Sequence, residues 1–407
     1  MNRQTSGDYP LRYLYMTASS EARQALEQVG VAPYGIEAME PKMHHRTILI
    51  EGISCPMANI LKQEMLSLGG DVAVARGAVA CSIPQTDAII MGTHKQVLRL
   101  AEKIMDQPFG LNRIGQRLKD LLDNLSRETW LLKTSRREMV LGERTLIMGI
   151  LNVTPDSFSD GGCFESPGKA IDQGLRMWDE GADIIDIGGE SSRPGAKPVT
   201  DEEELSRVVP VIEALAAKIS APLSVDTTKA VVARTAIGAG AEIVNDITAM
   251  TGDDGMEDIV ASMGAAVVLM HMRGRPPDMQ DGDLTYRSVH GDIINFLVQR
   301  MEAACRAGVR NDSIMVDPGI GFGKTGADNL KLLNHLAEFK SLGRPIVTGA
   351  SRKSFIGAIT GGEPHQRLEG SAAAATAAIM QGSQIVRVHD VPFMKKVAAM
   401  ADAILRA

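Results

Sequence analysis

The stretch PLSVDTTKAVVARTAIGAGAEIVNDI, residues 222–247, contains two short apolar runs with a helical segment between them. The runs, PLSVDT and EIVNDI, are rich in Val, Ile and Leu, as strands buried on both faces of a parallel sheet must be. Gly240 closes the helical segment just before the second run, where a left-handed helix cap is expected. The stretch therefore predicts a strand–helix–strand unit.

The same alternation extends from about Thr145 to the end of the chain. Six further runs have this form: TLIMGI, DIIDIGG, AVVLMHM, SIMVDPG, PIVTGAS and IVRVHD. The segment after DIIDIGG has a helical apolar face, and Thr200 with Glu203 fits a capping box at its start. Eight strands alternating with helices predict an α/β fold, a (β/α)8 TIM barrel, over residues 137–407.

Residues 1–136 form a different unit, which we predict to be a smaller N-terminal α/β domain of unknown role. RTILIEGIS indicates a strand, MANILKQEMLSLGG a helix, DVAVARGAVACS a strand or hairpin, and DAIIMGTHKQVLRLAEKI a strand then a helix. An apolar stripe from Leu111 to Leu125 predicts a helix that packs on the barrel or on a partner. TSRREMVLGER, residues 134–144, predicts a short hairpin that covers the bottom of the barrel.

Composition and charge exclude several classes of function. The 407 residues are 44% hydrophobic, and 43 basic against 50 acidic residues give a net charge of −7, which argues against nucleic-acid or membrane-surface partners. No apolar run approaches the roughly 20 residues of a membrane span, so a cytoplasmic location is expected. The four cysteines lack zinc-site spacing, and helical spacing predicts that Cys305 lies in the core.

Polar residues stand where the predicted strands end, and in such barrels the loops at this end form the reactive face. A single one is as readily explained by an Asx turn or a helix cap, but convergence from all eight strands favours a binding site. In strand order these residues are Asn152; Glu190, Ser192 and Arg193; Asp226; Asn245 and Asp246; His271; Asp317; Ser351, Arg352 and Lys353; and Arg387, His389 and Asp390.

Their charges suggest a ligand with two different ends. Asp226, Asn245 and Asp317 offer acceptors to a flat heterocycle rich in N–H groups. Lys353, Arg387 and His389 follow strands seven and eight, where barrels commonly hold phosphate.

Three glycine-containing loops have both a functional and a plain interpretation. ILNVTPDSFSDGG, residues 150–162, offers Asn152 as a ligand for Mg²⁺ on phosphate and then a lid; the alternative is a flexible surface loop. SSRPGAKP is a second lid segment or a simple turn. GIGFGK, residues 319–324, lacks the spacing of a phosphate-binding loop, so its glycines indicate close approach to a flat ligand, lined by Phe322 and Lys324.

Seven motifs in order resemble the dihydropteroate synthase family: ILNVTPDSFSDGG, DIGGESSRPGA, SVDTTK, VNDI, DPGIGFGK, GASRKSFIG and RVHD. The resemblance covers the chain from about Thr145 to its end. It implies a Mg²⁺-dependent transferase of folate biosynthesis, a sulfonamide target, that joins 6-hydroxymethyl-7,8-dihydropterin diphosphate to para-aminobenzoate. A homodimer is also implied.

The resemblance also implies roles for particular residues. Asn152 ligates Mg²⁺, and Arg387 and His389 contact the diphosphate. Asp226, Asn245 and Asp317 hold the pterin, with Lys353 and Phe322 beside it; Asp226, Asp317 and Lys353 are the catalytic candidates. Ser192 and Arg193 belong to the second loop, Ser354 lies near the aminobenzoate carboxylate, and the lid includes Asp156, Phe158, Ser159 and Asp160.

One departure and two alternatives remain. Ser192 stands where the family pattern often has Thr, which affects fine packing and inhibitor response. A methyltetrahydrofolate methyltransferase uses a similar pterin pocket but has no diphosphate to hold. A non-catalytic pterin-binding protein is the other alternative.

Overall fold

The computed structural model describes residues 11–14, 16, 19–154, 167–192, 195–276, 279–280 and 282–407. The chain divides into two compact units, Met1–Asp123 and Asn124–Ala407. The boundary at 136/137 that the sequence indicates for the domains stays a prediction.

The first unit is a small α/β structure. Its strands form a three-stranded antiparallel sheet in the order β1-β3-β2, and apolar residues of α3, α4 and α5 share one buried cluster with that sheet. The elements are β1 (His45–Ser54), β2 (Asp71–Val74), β3 (Gln85–Thr93), α1 (Ser19–Val29), α2 (Pro33–Met43), α3 (Cys55–Ser67), α4 (His94–Lys103) and α5 (Leu111–Ser126).

One expectation for this unit was wrong, and another was confirmed only in part. The apolar stripe that begins at Leu111 was expected to pack on the barrel or on a partner. Its residues Leu111, Leu118 and Leu122 are instead buried in the core of the first unit. In DVAVARGAVACS only the first four residues form a strand, and the rest is turn. Gly77, inside that turn, has no side chain to pack in a strand, and Gly is depleted from strand interiors for this reason.

The second unit contains a closed eight-stranded parallel barrel, which confirms the predicted fold. The strand order is β11-β10-β9-β8-β7-β6-β13-β12, and a parallel bridge between Val316 and Ile346 joins the two ends. The strands are β6 (Leu146–Asn152), β7 (Ile184–Gly188), β8 (Leu223–Asp226), β9 (Ile243–Asp246), β10 (Ala266–Met270), β11 (Ile314–Asp317), β12 (Val347–Thr348) and β13 (Ile385–Val388).

Helices follow the barrel strands and cover them. They are α6 (Pro167–Asp179), α7 (Asp201–Ala216), α8 (Ala230–Ala239), α9 (Met256–Met263), α10 (Val289–Arg306), α11 (Gly326–Asn334), α12 (Ser354–Thr360), α13 (Leu368–Met380) and α14 (Val391–Leu405). Thr200 caps α7 by accepting from the Glu203 backbone N–H, whereas the Glu203 carboxylate pairs with Arg207. Only the Thr200 half of the capping box is therefore formed. Gly240 ends α8 with a φ of +134°, a backbone conformation that residues other than glycine rarely adopt.

A hairpin closes the amino-terminal end of the barrel, as predicted. Its antiparallel strands are β4 (Trp130–Lys133) and β5 (Glu138–Leu141). Trp130, Leu132 and Leu141 pack against barrel residues such as Met148 and Val268, and the Trp130 indole N–H donates to the Gly343 carbonyl at 3.1 Å. Because this end is filled, the carboxyl ends of the strands form the accessible mouth.

Two further observations bear on the composition. Cys305 is exposed, so its expected core position was wrong; it lies just past the buried face of α10. Among the described residues, none of the helices has both the length and the hydropathy that a membrane span requires.

Candidate active site

Arg387 is the centre of the polar network at the barrel mouth. Its Nε donates to Asp186 Oδ2 and its Nη2 donates to Asp226 Oδ2, both at 2.6 Å. Asn245 Nδ2 donates to the same Asp186 oxygen at 3.0 Å. One hydrogen-bonded network thus joins residues from four strands, β7, β8, β9 and β13. The planar guanidinium of Arg387 can donate to two carboxylates at once.

Burial sets the ionisation of this network. Burial raises the pKa of Asp226 to about 7, against the opposing effect of Arg387. It also raises the pKa of Asp317. It lowers the pKa of Lys353 to about 7, against the opposing charge of Asp317. Burial works to lower the pKa of Arg387 as well, but Asp186 and Asp226 outweigh it and raise that pKa. The site therefore combines a fixed cation with groups that titrate near neutrality.

Lys353 lies between the loop that follows β11 and the Arg387 network. Its ammonium stands 4.3 Å from the centre of the Phe322 ring and donates to the Ile320 carbonyl. Asp317 Oδ1 accepts from the Gly319 N–H at 2.7 Å. These contacts, with the mutual electrostatic effects of Asp317, Lys353 and Arg387, bring the candidate pterin residues and two of the cations together.

A cavity of about 530 Å³ opens at the mouth beside Asp226. Its walls include Ser192, Met272 and Phe296, which follow other strands or come from α10. Lys229 braces one side: its ammonium donates to Glu190 at 2.7 Å and to Glu204 at 2.6 Å. Because Glu204 is only 1% exposed, Lys229 supplies the positive charge that this carboxylate needs.

Three other predicted site residues lie at or just after the ends of β6 and β13 or at the start of α12. His389 Nδ1 lies 3.0 Å from Ser351 Oγ. Asn152 ends β6 and is half-buried, and Ser354 is exposed at the start of α12. Arg193, Asp156, Phe158, Ser159 and Asp160 lie outside the described residues.

Three polar residues from the strand-end set have structural tasks. Asp246 is a local cap, because its carboxylate accepts from the Thr248 N–H, the Thr248 hydroxyl and the Met250 N–H. Arg352 pairs with Asp390 through both carboxylate oxygens, at 3.0 and 2.5 Å. At Asp246, Arg352 and Asp390, the structure therefore favours a structural role over a ligand contact.

One residue of the site, Asp186, was missed in the sequence, and another, Lys324, was misplaced. Asp186 was read only as part of the run DIIDIGG, yet it is fully buried and anchors Arg387. A carboxylate inside an otherwise apolar strand was the available signal, because a buried charge requires a partner. Lys324 was expected to line the ligand, but it is 2% exposed and lies inside its own loop.

Several known proteins resemble this chain over the barrel. The family model described as pterin binding enzyme matches residues 148–389. The dihydropteroate synthase of Bacillus subtilis is 45% identical over 278 residues, 68% of this chain and 95% of that protein. The chain belongs to the dihydropteroate synthase family. A solved dihydropteroate synthase of Xanthomonas albilineans with 4-aminobenzoic acid has a TM-score of 0.64 at 46% identity, covering 69% of this chain and 99% of that one.

A further relative matches beyond the synthase barrel. A probable bifunctional folylpolyglutamate synthase/dihydropteroate synthase of Halobacterium salinarum is 42% identical over 383 residues, 94% of this chain. Its similarity therefore includes most of the first unit. The chain spans about half of that relative, 46% of its length.

Proposed function

We propose that this dihydropteroate synthase family member is a transferase of folate biosynthesis that condenses 6-hydroxymethyl-7,8-dihydropterin diphosphate with para-aminobenzoate. The products are 7,8-dihydropteroate and diphosphate. The observation that carries the proposal is the grouping of four charged residues at the barrel mouth: Arg387 donates to Asp226, and Asp317 and Lys353 lie within electrostatic range of each other and of Arg387.

The pterin is held by the acidic side of the network. Asp226 and Asp317, with the amide of Asn245, present oxygen acceptors to the N–H edge of the ring. The Phe322 ring, buried beside Lys353, supplies an apolar surface against which a flat heterocycle packs. Lys353 donates to a ring heteroatom on the side that the acids do not serve.

The diphosphate is held by cations and by a metal ion. We assign Arg387 and His389 as its protein contacts. Asn152 fits as the Mg²⁺ ligand, because among the described residues no hydrogen bond engages its half-buried amide, whose oxygen is a hard donor. The described residues contain no group of three His, Cys, Asp or Glu side chains that could hold a metal. Phosphate oxygens of the substrate would be the further ligands of a Mg²⁺ ion held by Asn152. When bound there, Mg²⁺ would supply positive charge that neutralises the leaving diphosphate.

The barrel then needs little acid–base chemistry. The electron-rich ring stabilises the methylene cation that remains when the C–O bond to diphosphate breaks, and Asp226 and Asp317 stabilise that positive charge. The amine of para-aminobenzoate attacks the methylene carbon and loses a proton. We place para-aminobenzoate near Ser192, Arg193 and Ser354, with Asp156, Phe158, Ser159 and Asp160 in the lid that excludes water.

The two rival functions make different demands. A methyltetrahydrofolate methyltransferase does not need cations for a diphosphate, whereas Arg387 and Lys353 lie within electrostatic range of Asp226 and Asp317, the acids assigned to the pterin. A non-catalytic pterin-binding protein does not need Asn152. We further propose a homodimer in the cytoplasm, without nucleic-acid or membrane partners, and a domain boundary at 136/137.

The proposal is tested by incubating the purified chain with both substrates, with and without Mg²⁺. We expect equimolar dihydropteroate and diphosphate, formed only with the metal. Asn152→Ala is expected to raise the Mg²⁺ concentration needed for half-maximal rate. Thr325→Ala, which removes the N-terminal cap of α11, is expected to leave that concentration unchanged. Pterin binding without any product would instead support the non-catalytic alternative.

A further inference from the structure

The loop GIGFGK, residues 319–324, has a positive φ angle at each of its three glycines, a conformation that other residues rarely adopt. Gly319, Gly321 and Gly323 have φ of +68°, +87° and +60°. A Cβ at Gly319 would collide with the His271 carbonyl oxygen, and one at Gly323 would collide with the Arg273 carbonyl oxygen. The loop therefore folds back tightly on the segment that follows β10.

Carbonyl oxygens converge inside this loop, and the Lys324 ammonium occupies their centre. Lys324 Nζ donates to Gly319 O at 2.8 Å, to Phe322 O at 2.9 Å and to His271 O at 3.2 Å. His271 Nδ1 lies 3.1 Å from the same nitrogen. A phosphate-binding loop points N–H groups inward, so this carbonyl cage has the opposite polarity and suits a cation.

The geometry fits the charged form of the lysine. An ammonium has three protons to donate, which matches the three carbonyl oxygens. Burial lowers the pKa of Lys324 well below its usual value, Lys353 and Arg273 add to this effect, and Asp317 opposes it only in part. The three carbonyl acceptors around Nζ are therefore the observation that favours the charged form. Burial, with the nearby Lys324 charge, lowers the pKa of His271 to about 3, so the imidazole is neutral and can accept.

The cage connects directly to the proposed pterin site. Gly319, whose carbonyl binds Lys324, donates its N–H to Asp317. Phe322, whose carbonyl also binds Lys324, carries the ring beneath Lys353. A change at Lys324 thus reaches two groups of the site through one short segment of backbone.

We propose that Lys324 is a positioning residue whose buried ammonium organises the loop at residues 319–323 and thereby places Asp317, Phe322 and Lys353 for the pterin. This inference rests on the proposed function only where the test measures pterin affinity. The role of the cage itself is independent of which reaction the protein catalyses.

The test uses the full chain with Lys324→Ala, which empties the cage, and Lys324→Met, which keeps the apolar stem. We expect both variants to bind 6-hydroxymethylpterin at least about tenfold more weakly by calorimetry, because a buried, fully paired cation is lost. Ammonium or methylammonium chloride is expected to restore affinity and raise the melting temperature of Lys324→Ala. Tetramethylammonium chloride at equal ionic strength, too large for the cage, is the control.

Wild-type affinity in both variants would overturn the inference, as would equal rescue by tetramethylammonium. If the wild type itself does not bind the pterin, the proposed function fails. The melting-temperature rescue of Lys324→Ala by ammonium still decides the role of the cage in that case. If Lys324→Ala does not fold, Lys324→Met decides by its pterin affinity.

Discussion

Replacing Asp226 by Asn removes one negative charge from the network while keeping the size of the side chain. Asp226 accepts from Arg387 at 2.6 Å and is assigned to the N–H edge of the pterin. A hydrogen bond to a charged group contributes about 1.5–3 kcal/mol and one between neutral groups about 0.5–1.5. The difference of about 1–1.5 kcal/mol per ligand bond predicts a five- to twelvefold weaker pterin affinity.

The pH dependence makes this prediction specific. The ionised carboxylate is the form that accepts two N–H groups, and burial raises the pKa of Asp226 to about 7. Wild-type pterin affinity is therefore expected to fall as the pH decreases through 7. On the alkaline side, Lys353, whose pKa burial lowers to about 7, loses its proton and affinity falls again. Asp226→Asn should weaken the acid limb and leave the part that belongs to Asp317, whose pKa burial also raises. Because Asp226 raises the pKa of Lys353, the alkaline limb should begin at a lower pH in this variant.

The assay is calorimetry with 6-hydroxymethylpterin from pH 5.5 to 8.5. Asp246→Asn is the matched control, because Asp246 is a buried aspartate on the neighbouring strand that caps Thr248 and Met250 rather than contacting Arg387. It should lower stability and keep the acid limb. An unchanged acid limb in Asp226→Asn would refute the assignment of Asp226 as the titrating acceptor.

Three further changes test other parts of the account. Arg387→Met leaves Asp186 buried without its cation and should lower the free energy of unfolding by about 3–5 kcal/mol in urea, as well as weaken diphosphate binding; unchanged values would contradict the role of the fork. Lys229→Met should raise the KM for para-aminobenzoate more than it weakens pterin binding, because it frees Glu190 and Glu204 at the cavity wall; the opposite pattern argues against this placement. A fragment that begins at residue 137 lacks β4 and should melt below one that begins at Asn124, which keeps Trp130 and Leu132 in the barrel base; equal melting temperatures would show that the hairpin is dispensable.

The fold was predictable because its signals are local. Each barrel strand is a short apolar run, and each is followed by an amphipathic helix, so the number and order of the strands could be read directly. The closing hairpin was predicted only in part: residues 134–144 include its turn and its second strand, β5, whereas its first strand, β4, lies before that segment. The interior stripe of α5 was read correctly as a helix, but its partner was not, because an apolar face does not identify what covers it.

The site was predictable only in outline, because its contacts join residues that are far apart in sequence. Asp186 and Arg387 are 201 positions apart, and no local pattern identifies them as a pair. Lys324 follows a glycine loop as a ligand-lining residue would, yet its ammonium is enclosed by the loop's own carbonyls. Strand ends therefore predicted some of the residues that meet at the mouth, namely Asp226, Asn245 and Arg387. Asp186, the partner that Asn245 and Arg387 share, could be identified only from the closed barrel.

The most direct measurement is product formation by the purified full chain. Dihydropterin diphosphate, para-aminobenzoate and Mg²⁺ are supplied, and dihydropteroate and diphosphate are quantified together. The account predicts equimolar products, with little turnover in Arg387→Met and in Asp317→Asn that remain folded. A folded wild-type protein that yields neither product, or variants that turn over at the wild-type rate, would contradict it.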